Sequence, residues 1–341
     1  MAVESRPVSL ELDSIIYSLQ GFGGITQYWQ EICARMESRD GFEVRYCTAP
    51  SWHRLLKVNS QARVFHSSYY RVARGRGVRN VVTVHDFAFE RGHVGSGWRR
   101  RLACRERKLA YLSADALICG SDSARRDLLL HYPELDGRRP ITVIHHGPTL
   151  DASITAAPEE AAARWLEQPY VLFVGGRQHY KNFDGALAGF AGSGLAREGV
   201  RLVCTGAPLS PAETSLIARQ GLDGQVLATG PVDRGMLVTL YRHAHCLLYP
   251  SRFEGFGMPV LEAMTLGCPV VASACTSIPE IAADGAILVP DGAPEGLADA
   301  MQSLQDPGLR ARMIAAGLRR STSFSWARSA DAHAQVYQSL A

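Results

Sequence analysis

Ser251-Arg-Phe-Glu254-Gly255-Phe256-Gly257-Met258-Pro259-Val-Leu-Glu262, continued by Ala-Met-Thr-Leu-Gly267-Cys-Pro-Val-Val-Ala272, reads as loop, helix and buried strand. Two carboxylates, Glu254 and Glu262, lie eight residues apart, on either side of a glycine-rich turn and the opening of the helix. Gly255, Phe256, Gly257 and Met258 can turn main-chain N–H groups outward. Pro259 suits the first helical position, where its missing donor is not needed. A helix N-terminus carries unpaired N–H groups and partial positive charge, so an anion docks there. Glu262 is placed to accept hydrogen bonds from sugar hydroxyls beside such an anion, and Glu254 to face whatever is attached at its far end. A phosphate flanked by hydroxyl-bearing rings is a nucleotide-sugar.

Outward from this stretch, short apolar β-branched runs alternate with longer helical patterns, which implies parallel sheets wound by helices. In the first half, strands are expected at 10–17, 43–47, 64–66, 80–84, 116–119 and 141–144, with helices at 26–39, 98–114 and 123–131. In the second, strands are expected at 170–174, 201–205, 226–229, 246–249, 269–272 and 286–289. Helices are expected there at 183–190, 211–220, 234–243, 260–265, 277–283 and 294–305. Residues 148–167 read as the connection between the halves.

The chain has 341 residues, 46% hydrophobic and 20% charged, the composition of a globular enzyme long enough for two domains. Its apolar runs are too short to cross a bilayer, and its start lacks an apolar signal core, so a cytoplasmic protein is expected. The eight cysteines form no C-x-x-C pair and read as reduced core residues. No Asp-x-Asp occurs, and no metal-ligand spacing, so no metal and no cofactor are expected. Residues 1–150 hold 22 Lys/Arg against 15 Asp/Glu, net +7, whereas 151–341 hold 14 against 18, net −4. Arginines at 71–79 and 99–107 suggest either a solvated face or a footprint for anionic membrane lipid or a diphosphate-linked acceptor. No nucleic-acid motif accompanies them.

The 251–272 segment resembles the Glu-x7-Glu signature of retaining, nucleotide-sugar-dependent glycosyltransferases of the group 1 (family 4) type. The resemblance runs from about Gly21 to the C-terminus and is strongest over 170–291. It implies the GT-B fold, two Rossmann-like doubly wound α/β domains facing each other across a cleft. Residues 1–150 would bind acceptor, joined by a C-terminal helix at about 325–341 that crosses back, and 151–324 would bind donor.

Other motifs fit that resemblance. Gly175-Gly-Arg177-Gln-His-Tyr-Lys181 follows a strand, where paired glycines allow a tight turn at the carboxyl end of an open sheet. Arg177 offers a fork for phosphate oxygens and Lys181 a point charge. The resemblance gives the pair the role of stabilising the leaving diphosphate. Gln20-Gly21-Phe-Gly23-Gly24 lacks the G-x-G-x-x-G spacing of dinucleotide enzymes and resembles the family's diphosphate-approaching loop. Thr83-Val-His85-Asp86 ends a strand and resembles the place where the family carries a sugar-contacting histidine. Phe65-His66-Ser-Ser-Tyr-Tyr70 is a candidate lining of the acceptor site. His145-His146-Gly147 reads as structural. Thr205, Gly206 and Val232 lie at strand ends that, by similarity, border the nucleobase.

The implied reaction is hexose transfer from a nucleoside-diphosphate sugar, mannose-type favoured, to a glycan or polyprenyl-diphosphate-linked glycan, with retention. Glu254 is assigned to donor-sugar hydroxyls rather than to covalent catalysis. A nucleotide-sugar epimerase or hydrolase on the same scaffold, or a non-catalytic subunit of a transferase complex, stays open on sequence alone.

Overall fold

A computed structural model of the chain describes residues 6–341 except 22, 178 and the side chain of 159. The chain's start, Phe22 of the glycine-rich loop and Gln178 of the Arg177–Lys181 loop therefore lie outside the described residues. The chain divides into two compact units, 1–147 with 324–341, and 148–323.

In the first unit come β1 (Val8–Asp13), α1 (Ile16–Leu19), α2 (Gly24–Glu37), β2 (Phe42–Cys47), β3 (Val58–Asn59), β4 (Val64–Ser67), β5 (Ala73–Arg74) and β6 (Arg79–Val84). After these run α3 (Gly97–Ser113), β7 (Ala116–Cys119), α4 (Asp122–His131) and β8 (Ile141–Val143). Six strands form a parallel sheet in the order β2-β1-β4-β6-β7-β8, and β3 pairs with β5 apart from it. β4 and β7 are buried along their whole length, as in a sheet covered on both faces. Ser121 caps α4 by accepting from Ala124 N at 3.0 Å.

The second unit runs α5 (Glu159–Leu166), β9 (Tyr170–Phe173), α6 (Phe183–Gly192), β10 (Arg201–Cys204), α7 (Pro211–Arg219), β11 (Val226–Ala228), α8 (Arg234–His243) and β12 (Cys246–Tyr249). It continues with α9 (Met258–Thr265), β13 (Val270–Ser273), α10 (Ile278–Ala282), β14 (Ile287–Val289), α11 (Pro294–Ser303) and α12 (Pro307–Ser321). Its sheet is all parallel, ordered β11-β10-β9-β12-β13-β14. The order reverses between β9 and β12, and ligands of such sheets bind beyond the carboxyl ends of the strands at that switch point. Phe173, Phe190, Leu202, Leu248 and Met301 are among the core residues beneath it.

The last helix, α13 (Trp326–Leu340), belongs to the first unit. A buried chain of hydrogen bonds fastens it there. Tyr337 Oη meets His66 Nδ1 at 2.7 Å, and His66 Nε2 meets Thr83 Oγ1 at 2.8 Å. Thr83 meets Tyr28 Oη at 2.9 Å, Tyr28 meets His333 Nε2 at 2.7 Å, and His333 Nδ1 reaches the Ser329 carbonyl at 2.7 Å. With both imidazoles kept neutral by burial, and since a carbonyl only accepts, the donors run from Tyr337 to Ser329. Burial holds His66 and His333 below the usual histidine range, the latter at about 4.

Five sequence expectations need correction. The first strand ends at Asp13 rather than at 17, because Ile16 N turns to Ser68 Oγ at 3.0 Å and a short helix begins. The connection at 148–167 contains α5. Helix α12 was missed although Asp306 caps it, accepting from Leu309 N at 2.5 Å, with Pro307 at its start. Arg71 and Arg107 are not surface cations: Arg71 pairs with buried Asp13 at 2.8 Å, and Arg107 pairs with Glu90 at 3.2 Å. Nor does His66 line a site, being fully buried in the chain just described.

Candidate active site

In the second unit the loops after β9 and after β12 emerge at the switch point and are stitched together. Arg252 N donates to the Tyr180 carbonyl at 2.8 Å, and Arg252 Nη2 to Asn182 Oδ1 at 2.8 Å. Lys181 Nζ donates to Glu254 Oε1 at 2.7 Å and to Tyr249 Oη at 3.3 Å. Lys181 and Glu254 come from different loops 73 residues apart, and both side chains are largely buried. Burial would lower the lysine, but Glu254, Tyr249 and Tyr180 outweigh it and raise Lys181 above its usual value. Glu254 is held by its main chain too: its N–H reaches Thr276 Oγ1 at 2.9 Å, and its carbonyl accepts from Ser277 Oγ at 3.0 Å. Thr276 has φ +42°, a conformation a β-branched residue adopts only when its surroundings impose it.

Gly255 and Phe256 complete the turn, and Gly257 caps α9 with φ +97°. A Cβ on Gly257 would also lie 2.4 Å from Ile278 Cδ1, so glycine is required there. Met258 is the first helical residue and Pro259 the second, one position later than the sequence implied. The missing donor of Pro259 still falls among the unpaired N–H groups of the first turn. Glu262 lies inside the helix, buried, with its carboxylate accepting from Thr149 Oγ1 and, at 3.2 Å, from Tyr241 Oη. Burial pushes its pKa up to about 7, against the pull of those two hydroxyls.

Arg177 turns the other way, toward β10. Its Nε donates to Glu213 Oε1 at 2.7 Å, and its Nη2 to the carbonyls of Ala207 and Pro208 at 2.7 and 2.9 Å. Glu213 also closes the capping box of α7 with Ser210. Thus Arg177 and Lys181, four residues apart, flank the end of β9 on opposite sides rather than pointing together. Thr205 Oγ1 accepts from Gly175 N at 3.3 Å, Gly206 N donates to the Gly230 carbonyl at 3.1 Å, and half-buried Val232 leads into α8. These three sit together on the β10–β11 side of the sheet.

In the first unit, His85 follows β6. Its ring bonds to the Ser68 main chain and lies edge-on to Tyr28, centroids 5.4 Å apart. The other ring nitrogen, Nε2, is buried with no hydrogen-bond partner among the described residues. Such a group is costly unless a ligand meets it. Burial lowers His85 to about 4, so the ring is a neutral acceptor at physiological pH. The Ser68 loop is itself braced: Ser67 Oγ donates to Asp13 Oδ2 at 2.9 Å and accepts from Arg71 N at 3.0 Å. Asp86 is engaged within the protein, accepting from Ala88 N at 3.0 Å and Arg107 Nη2 at 3.3 Å. Gly23 and Gly24 open α2, and a Cβ on Gly24 would meet nothing within 4 Å, so packing does not explain that glycine. Among the described residues no cluster suited to a metal ion occurs. Sequence reasoning missed Tyr249, Tyr241, Glu213 and Thr149, which hold the charged groups; of these only Glu213 carries a local signal, the Ser210-x-x-Glu213 capping-box spacing.

Residues 159–320 match the family model described as glycosyl transferases group 1. The chain is 32% identical over 255 residues to a D-inositol 3-phosphate glycosyltransferase of Kineococcus radiotolerans, covering 66% of this chain and 57% of that protein. It is 33% identical over 239 residues to O-antigen chain mannosyltransferase B of Escherichia coli, covering 67% and 61%. It therefore spans about three fifths of the length of these curated relatives. The structure of Anabaena HepE in complex with UDP and glucose superposes with TM-score 0.70 at 17% identity, covering 98% of this chain and 100% of that one.

Proposed function

From the premise that the chain belongs to the group 1 glycosyltransferases and has the GT-B fold, we propose that it transfers a hexose from a nucleoside-diphosphate sugar, with retention, to a glycan or polyprenyl-diphosphate-linked glycan. The observation that carries this reading is the Lys181–Glu254 junction at the β9/β12 switch point, beside the N-terminus of α9. The α9 N-terminus, Lys181 and Arg177 stabilise charge on the departing diphosphate electrostatically. Gly23 and Gly24 let diphosphate oxygens approach the main chain at the start of α2. Glu254 holds hydroxyls of the donor sugar, and His85 Nε2 accepts from another. Glu262 exchanges the Thr149 hydroxyl for a hydroxyl of the donor. Thr205, Gly206 and Val232 border the base.

The bond from the anomeric carbon to the diphosphate breaks as the acceptor oxygen bonds on the same face, and the acceptor proton passes to a diphosphate oxygen. No metal is required for that balance. The O-antigen relative supports a mannose-type donor such as GDP-mannose and a role in cell-surface polysaccharide synthesis. Thermal stabilisation by UDP, GDP, ADP or dTDP, followed by transfer from the matching sugar nucleotide, is the test. Stabilisation by GDP with mannosyl transfer is expected. Interconversion or hydrolysis of the sugar nucleotide without acceptor would replace this reading with an epimerase or hydrolase.

A further inference from the structure

Five of the chain's most exposed large apolar residues crowd onto two neighbouring elements of the first unit. Trp52, Leu55 and Leu56 are 70%, 54% and 50% exposed, and Trp98 and Leu109 on α3 are 69% and 55% exposed. Arg54 reaches Glu106 at 3.8 Å and so joins the 51–56 segment to α3. Single exposed leucines need no explanation, but two exposed tryptophans with three exposed leucines on two joined elements do.

On α3, Trp98, Leu102, Arg105 and Leu109 follow the i, i+4, i+7, i+11 spacing of one helix face. The opposite face buries Arg107, Ala110 and Tyr111. Exposed Arg99, Arg101 and Arg105 border the apolar stripe, and Arg99 lies over the Trp98 ring at 5.5 Å. Tryptophan and leucine flanked by arginine is the pattern of a helix lying in a lipid–water interface. We propose that this face, formed by residues 52–56 and 98–109, docks the protein on an anionic lipid bilayer. It differs from the run of arginines that the sequence suggested, because Arg71 and Arg107 are buried. Charge complementarity selects the partner: basic residues beside a surface attract anionic lipid, while the tryptophans enter the headgroup layer.

The position also suits a lipid-borne acceptor. The 51–56 segment follows the carboxyl end of β2, and α3 begins at the same end of the sheet before returning to start β7. His85 and the α2 glycines lie at that end too. Docking does not depend on the transfer reading, and its test uses no substrate.

The full chain is sedimented with vesicles of phosphatidylglycerol and phosphatidylcholine, and with phosphatidylcholine alone, at low and high salt. Binding is expected on the anionic vesicles only and weakens with salt. Trp52→Ser with Trp98→Ser, and separately Arg99→Glu with Arg101→Glu and Arg105→Glu, should each reduce it at least tenfold with unchanged circular dichroism. Arg74→Glu with Arg76→Glu should leave it unaltered. No sedimentation, equal binding to neutral vesicles, or variants binding like the parent would overturn the assignment. So would unchanged vesicle binding with a lower solution mass in the tryptophan variant, which would make the face a contact between copies of the chain.

Discussion

Replacing Lys181 by methionine should damage both stability and turnover, because the ammonium is half of a largely buried ion pair. In the parent, Lys181 Nζ sits 2.7 Å from Glu254 Oε1, with the two side chains 16% and 10% exposed. Methionine keeps most of the volume but leaves the Glu254 carboxylate buried without its cation. Breaking such a pair from one side costs about 3–5 kcal/mol. At roughly 2–4 °C per kcal/mol for a unit of this size, melting should fall by about 6–20 °C. Well below that transition, turnover should drop by about two to three orders of magnitude, the scale for losing a donor that stabilises developing charge. Adding Glu254→Leu should restore much of the melting temperature, since no orphaned charge remains, while turnover stays low. Calorimetry with single-turnover sugar transfer separates the two effects. A Lys181→Met protein that melts and turns over like the parent would refute the reasoning, and so would a double variant whose stability loss is the sum of the singles.

Glu213→Gln should cost about tenfold in turnover, less than Arg177→Ala at about two orders of magnitude, because it loosens the guanidinium without removing it; initial rates at saturating donor decide. Transfer should persist in excess EDTA, and loss of activity restored by Mg²⁺ or Mn²⁺ would replace the cationic site with a metal-held diphosphate. Glu262, raised to about 7 in the fold, favours the protonated native state, so its contribution is full below about 4.5 and fades as pH rises through 7. Melting of the 148–323 unit should therefore lose stability across that window, and Glu262→Gln should flatten the slope. His333, lowered to about 4, works oppositely: its contribution is present above about 6.5 and is lost as pH falls toward 4. Hydrogen exchange at Trp326–Leu340 should rise on acidification, and His333→Gln should shift that onset.

The alternation of short apolar runs with helical patterns, and the run Ser251–Ala272, carried the fold class, because strand burial and helix starts are written locally. Tyr170–Phe173, Cys246–Tyr249 and Arg234–His243 were legible to within a residue for that reason. The sequence also singled out Lys181 and Glu254, but as separate motifs. That they form one ion pair follows only from the strand order, which brings β9 beside β12 and their loops together. Arg177 shows the converse: its type and place suggested a partner for Lys181, yet Glu213 draws it to the other side of β9. Arg71 and Arg107 read as solvent cations because a run of arginines says nothing of Asp13 and Glu90, which meet them from distant segments. The Tyr337–His66–Thr83–Tyr28–His333 chain had no signal at all, since its bonded partners are up to 305 residues apart and none is unusual locally. Periodicity and capping are properties of neighbours along the chain. Charge pairing, tautomer and burial are properties of neighbours in space, and only the folded sheet brings those together.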